Sequence, residues 1–173
     1  MMIKHIRIIV STWLLAFVLI SGCKKEPELP ANYMSFGGTT YEVVSVYSDD
    51  YGSFDSLYHD FDLNILSDGL SYNDTLFDYV GTGSYLYMDI NSATLNEIGP
   101  GIYEWNTTRG PNTLFFGYIG TNCTDGIFCE KDTPFTGGKL EIGRDGNTYT
   151  LDFNFTTIDG PVKGRFSGPI IPI

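Results

Sequence analysis

Histidine is nearly missing from this 173-residue chain: His5 and His59 are the two it has, and His5 lies in a basic and apolar leader. A metal centre built on paired imidazoles is therefore not expected, nor is a Ser-His-Asp triad. Cations are scarce as well, 10 Lys and Arg against 21 Asp and Glu. Without Lys4 and Arg7 of the leader, 8 basic residues against 21 acidic ones leave a charge of −13. A chain so acidic repels phosphate backbones, which excludes nucleic acid as a partner. Anionic lipid headgroups repel it in the same way. There is no Gly-x-Ser-x-Gly, P-loop or dinucleotide fingerprint, no long amphipathic helical stretch and no repeat of fixed period. No cofactor is implied.

The 3 cysteines divide into one and a pair. Lys4, His5 and Arg7 form a basic start, Ile8 to Ile20 an apolar core short for a membrane span, and Ser21-Gly22 a small-residue cleavage region. Ile20-Ser21-Gly22-Cys23 resembles the lipobox of bacterial lipoproteins. That resemblance implies a signal peptide over residues 1–22, cleavage before Cys23, and acyl chains on Cys23 as the membrane anchor. Several chains on one residue hold stably where one alone is marginal. Residues 23–32, with Pro27 and Pro30, then read as an extended tether, and residues 33–173 as a single domain. Cys123 and Cys129, with Asp125-Gly126 able to turn the chain between them, are expected to form a disulfide in an exported protein. So short a loop is worth about 2 kcal/mol. A redox site would want closer spacing, and a zinc site more soft ligands.

The clearest fold signal is the alternation from Asn147 to Phe155, with Tyr149, Leu151, Phe153 and Phe155 on one parity and Thr148, Thr150, Asp152 and Asn154 on the other. Asp145-Gly146 before it suits a two-residue hairpin loop, which pairs Ile142 with Tyr149 and Leu140 with Leu151. Asp159-Gly160 reads as a second such loop, placing Phe153 opposite Phe166. A three-stranded C-terminal meander follows. Upstream, Tyr33–Phe36 and Thr39–Tyr47 are strand-like, Ser48–Ser56 reads as a polar acidic loop, and Leu57–Leu66 alternates. Ser71–Gly83 holds one short strand near Leu76–Val80. Ser84–Ile90 alternates again, Asn91–Ile98 offers a helical turn, Ile102–Trp105 is a short strand, and Thr113–Ile119 is apolar on both parities, as in a strand covered on both sides. Eight to ten short strands spaced by turns predict an all-β antiparallel sandwich, with a closed, lipocalin-like barrel as the alternative.

Gly137-Gly138-Lys139-Leu140-Glu141-Ile142, Asp145-Gly146-Asn147-Thr148-Tyr149 and Gly164-Arg165-Phe166-Ser167-Gly168-Pro169 resemble the C-terminal halves of small all-β lipoproteins of Bacteroidota. The resemblance implies an outer-membrane location and carries no catalytic residues with it. Lys24-Lys25-Glu26 matches only partly the acidic surface-export signal of that phylum, leaving both the periplasmic and the outer face open. Asp55-Ser56-Leu57 and Asp74-Thr75-Leu76 resemble the O-glycosylation pattern of the same bacteria, which would place sugars on Ser56 and Thr75.

Chemistry is thin elsewhere. Asp60-x-Asp62-x-Asn64 has calcium-loop spacing, but Ile65 stands where that loop needs glycine, and strand alternation explains the same spacing. No metal site is expected. Aromatics are abundant, 12 Tyr and 12 Phe. Tyr47, Tyr51, Phe54 and Tyr58 cluster around the acidic stretch, and Tyr85 and Tyr87 oppose an evident dry face. Tyr51, Tyr58, Tyr85 and Tyr87 with Asp49 and Asp50 are the candidate ligand surface for carbohydrate or protein, unless a second sheet covers the tyrosines. The leading function is a non-catalytic binding or adhesion module, which calls for an exposed aromatic patch. An accessory subunit of an envelope complex would show a long uncovered strand edge, and a barrel for a small apolar ligand would need an internal cavity.

Overall fold

Alternation becomes strand almost wherever it occurs. The computed structural model describes residues 28–173 apart from Asp55. The leader, the Cys23 lipid site and the first half of the tether lie outside these residues, as does the side chain of Phe54. The strands are β1 (Tyr33–Phe36), β2 (Thr39–Phe54), β3 (Tyr58–Ser67), β4 (Leu70–Asn73), β5 (Asp78–Gly81), β6 (Gly83–Ser92), β7 (Gly101–Trp105), β8 (Thr113–Thr124), β9 (Phe128–Asp145), β10 (Thr148–Thr157), β11 (Gly160–Gly168) and β12 (Ile171–Pro172), with one 3-10 turn at Asp125–Ile127.

Ten of them form one sheet in the order β1-β11-β10-β9-β7-β8-β6-β3-β2-β12, and β4-β5 form a second, small sheet. The large sheet folds over itself as a sandwich. β2, β3, β6 and β8 make one leaf, and β1, β11, β10, β9 and β7 the other. The leaves are continuous where β1 pairs with both β2 and β11 and where β8 pairs with the first part of β9. Pairing is antiparallel except for two-residue parallel contacts of β7 with β8 and of β12 with β2.

Side chains of both leaves fill the space between them: Leu63, Met88 and Leu114 from the first, Leu140, Phe153 and Phe155 from the second, each buried. Phe155 stacks on Phe135 with ring centroids 4.2 Å apart. Burying a side chain of this size contributes about 1.5–3 kcal/mol. β1 lies close to β11 because residue 164 is glycine: a Cβ there would collide with the Tyr33 carbonyl oxygen and the Phe153 ring.

The C-terminal meander has the expected faces, with Leu151, Phe153 and Phe155 buried and Thr148, Asp152 and Asn154 exposed. Both hairpin registers differ from the expected ones by two residues. Asp145 pairs with Thr148, so the loop is Gly146-Asn147, and Leu151 faces Ile142. Gly146 has φ 59°, suiting it to the first central position of a II′-like turn. In the next hairpin Thr157 pairs with Gly160 and Leu151 with Phe166, so the loop is Ile158-Asp159. The Thr157 hydroxyl accepts from the Asp159 N–H at 3.1 Å and donates to the Gly160 carbonyl at 2.7 Å, closing the turn earlier than the Asp-Gly pair suggested. A shift of two preserves parity, which is why the faces survive.

Three further expectations are corrected. Ser48–Ser56 is not a loop, because β2 runs on to Phe54 beside β3. The segment after β6 has no helical turn. Its folding is directed by Ser92, whose hydroxyl accepts from the Thr94 and Gly99 N–H groups and donates to the Tyr103 hydroxyl, which in turn donates to the Gly99 carbonyl. The stretch after Ser71 holds part of a hairpin, β4-β5, rather than one strand.

Candidate functional site

The outer face of the β2-β3-β6-β8 leaf is built by register. One row across the strands reads Tyr47, Asn64, Tyr87, Tyr118, and the next reads Asp49, Asp62, Asp89, Phe116. Beyond them Gly52, Asp60, Asn91 form a third. With strands about 4.8 Å apart, the two four-residue rows are each roughly 14 Å long. Three carboxylates stand directly opposite one another, an arrangement that costs stability in a sheet.

A β-bulge shapes the β2 end. Asp50 pairs with Phe61 and Gly52 with Asp60, leaving Tyr51 as the extra residue. Gly52 supplies the required φ of 88°, and its N–H donates to Asp50 Oδ1 at 2.8 Å. Tyr51 is 62% exposed, and its hydroxyl, like that of Tyr87, donates to the Asp62 carboxylate. Asn64 Nδ2 donates to Asp49 Oδ2 at 3.0 Å. At the other end Arg109 serves two acids. Nη1 lies 2.8 Å from Asp60 Oδ2 and Nη2 2.5 Å from Asp89 Oδ2, with a further bond from Nη1 to Asn91 Oδ1 at 3.2 Å. Its guanidinium carbon sits 4.4 Å over the Phe115 ring.

Burial, with the charges of Asp60 and Asp49 adding to it and the tyrosine hydrogen bonds opposing it, pushes the Asp62 carboxyl up from 3.8 to about 6. Burial and the Asp60 charge raise Asp89, against the pull of Arg109. Burial also raises Asp49. Burial lowers Arg109, but the Asp89 and Asp60 charges outweigh it and hold the guanidinium above its ordinary value. The charge of Asp62 first, then burial, raises the Tyr51 hydroxyl. Asp60 Oδ1 is buried and has no hydrogen-bond partner among the described residues.

Of the expected surface residues, Tyr51, Tyr87 and Asp49 share this face, and Tyr58 extends it at the β2-β3 hairpin. Tyr85 does not belong to it. Tyr85 is 4% exposed, covered in a cluster with Leu66, Leu70 and Cys123, and its hydroxyl donates to Asn64 Oδ1. Tyr79 of the small sheet lies against its ring at 5.8 Å, so the second-sheet covering holds for Tyr85 and not for Tyr51. Asp50 points the other way, toward His59, with Oδ1 2.5 Å from Nε2. Asp49 and Asp50 are consecutive residues of one strand and so point to opposite faces, which reading Ser48–Ser56 as a loop concealed.

Asp50, His59 and Ser53 do stand in line, Ser53 Oγ being 3.0 Å from His59 Nδ1, so one histidine was enough to assemble the geometry judged absent from the sequence. The Asn96 N–H also donates to Nδ1, at 3.1 Å. That lone pair is therefore engaged and poorly placed to take a serine proton. The imidazole ties β2, β3 and the loop after β6 together while stacking on Phe61 at 4.7 Å.

Sequence reasoning missed Arg109, Phe116 and Tyr118. The last two follow β8 parity; Arg109 sits in a turn, where spacing says nothing about reach. Cys123 and Cys129 are disulfide-bonded and paired across β8 and β9. Ser56 and Thr75 are both exposed, at turns; Asp55, the first residue of the Ser56 motif, lies outside the described residues. Concavities of about 430 and 440 Å³ occur elsewhere on the surface, and neither is lined by a residue of the two central rows. Among the described residues no group of His, Cys, Asp or Glu is placed to hold a metal ion. Comparison with known proteins finds no matching family model and no significantly similar curated protein or solved structure.

Proposed function

We propose that this chain is a lipid-anchored binding module of the cell envelope, held at the outer membrane through Cys23, that recognises carbohydrate on the outer face of the β2-β3-β6-β8 leaf. The observation that carries the reading is the coincidence, on one ordered surface, of accessible rings with hydrogen-bonding carboxylates. Tyr51 is 62% and Phe116 42% exposed, beside the half-buried Asp49 and Asp62. Rings provide apolar contact for a sugar face at small entropic cost, and the acids accept from its hydroxyls.

Two other roles draw less support from the fold. Joining a complex by strand pairing favours a long regular free edge, whereas the outer edge of β2 is taken by β1 at Thr39–Glu42 and by β12 at Tyr47 and Ser48, and beyond them is broken by the bulge at Tyr51. Carrying an apolar ligand inside favours a hollow interior, whereas Leu63, Met88, Leu140 and Phe155 fill it.

The test is a glycan array probed with a chain beginning after Cys23, which keeps every strand. Binding that is lost in Tyr51→Ala and Tyr87→Ala supports the reading, and no binding above that of an unrelated acidic β protein removes it. Radiolabelled palmitate entering the full chain but not Cys23→Ala checks the anchor.

A further inference from the structure

The face is short of positive charge at one end. Asp60 and Asp89 share Arg109, but the ion pairs among the described residues include none from a basic side chain to Asp49 or Asp62. Among the described residues Asp62 is satisfied by tyrosine hydroxyls and Asp49 by the Asn64 amide. The side chain of Asp60 is 9% exposed, its Oδ1 is buried without a donor among the described residues, and its charge acts on Asp62, Asp89 and Tyr51 alike. The deficit is therefore sharpest at Asp62 and Asp49, which Arg109 does not reach.

The β8 end shows how this surface accommodates a cation: Arg109 bonds to carboxylates of the rows while its flat side lies over Phe115. The β2 end repeats the ingredients, carboxylates beside Tyr51 and Tyr87. The Tyr87 ring stacks on Tyr118 at 5.4 Å and meets Phe116 at 6.1 Å, which fixes its orientation before any ligand arrives. A cation seated there gains Coulomb attraction from several acids and a ring face at once.

We propose that the ligand of this face carries an ammonium group, an amino-sugar unit of a glycan, held by Asp62 and Asp49 against the Tyr51 and Tyr87 rings. This rests on the carbohydrate reading above and adds the charge. A neutral sugar would leave the repulsion among the aspartates unrelieved, and an anionic one would increase it.

Calorimetry at neutral pH with the chain starting after Cys23 tests this against three probes: β-1,4-linked glucosamine oligomers, the same oligomers N-acetylated, and glucose oligomers of equal length. The glucosamine oligomers are expected to bind at least about tenfold more tightly than the other two. Asp62→Asn should remove about that factor, and Glu141→Gln on the opposite leaf should remove none. Tyr87→Phe, which keeps the ring and drops the hydroxyl, should retain most of the affinity. Equal binding of all three oligomers, unaffected by Asp62→Asn, overturns the ammonium inference and leaves the carbohydrate reading standing. An oligolysine peptide that binds in an Asp62-dependent way while no glycan does overturns the glycan source and keeps the ammonium. Silence with all four probes overturns both.

Discussion

The two leaves of the sandwich present very different outer faces. On the β9-β10-β11 side the exposed charges are of both signs, and the acid pair, Glu141 opposite Asp152, has Arg165 beside it. Glu141 and Arg165 flank Asp152, and Lys139 and Lys163 flank Asn154; the ion pairs are long, 3.7 Å for Arg165 with Asp152 and 3.9 Å for Lys139 with Glu141. Such pairs contribute little, and the surface is simply soluble. On the β2-β3-β6-β8 side acids face acids, tyrosines are half-buried, and Arg109 is drawn in from a loop to compensate one end. A surface that accepts repulsion and buries carboxylates is less stable than its counterpart, and a fold that keeps it does so at a cost the opposite leaf avoids.

That contrast can be broken at its strongest point. Arg109→Met leaves Asp60 and Asp89 without a counter-charge and is expected to cost about 3 kcal/mol in urea unfolding. Arg165→Met, on the other leaf, should cost within about 0.5 kcal/mol. Comparable losses from the two would show that the faces are equivalent. The disulfide ranks next: Cys123→Ser with Cys129→Ser should lower stability by about 2 kcal/mol, read as a shift in the urea midpoint at unchanged slope.

Asp62→Asn should act in the opposite direction. In the fold the Asp62 carboxyl keeps its proton up to about 6, against 3.8 ordinarily. Between those values the folded state binds more protons than the unfolded one, so the Asp62 contribution is fully present below about 4 and is lost as pH rises through 6. Asp49, Asp60, Asp89, Tyr51 and Tyr87 all act on this carboxyl, and Arg109 is engaged by Asp60 and Asp89 instead. Removing the charge should therefore raise stability at pH 7 by about 1 kcal/mol after allowance for its partial exposure, and flatten the decline between pH 4 and 6. A variant less stable than the parent at pH 7 would show the tyrosine hydrogen bonds to outweigh burial. Smallest of all, Glu141→Gln should leave both stability and ligand binding unchanged.

Much of the scaffold was readable because it depends on period-two alternation, which needs no partner to be recognised: Tyr149 to Phe155 and Leu86 to Ile90 lie on the faces assigned to them. Register was less accessible. The Asp-Gly pairs marked the right places, but the choice between Gly146 as first or second loop residue, and the Thr157 hydroxyl bonds that set the second turn, are decided by local geometry. The candidate site was half legible. Tyr51, Tyr87 and Asp49 carry strand parity, whereas Tyr85 disappears beneath a small sheet whose docking is a tertiary event. Asp50 is turned away by the plain alternation of a strand that its polar composition disguised as a loop. Arg109 reaches the face from a loop, and the acid row exists only because three strands align Asp49, Asp62 and Asp89.

The most direct measurement is a carbon-13 titration of the Asp62 carboxyl, alone and with a saturating glucosamine oligomer. The expected midpoint is near pH 6 in the free protein and lower with the oligomer bound, since a nearby cation favours the ionised carboxylate. A midpoint near 4 that the oligomer leaves unmoved would contradict both the crowded acidic face and its proposed ligand.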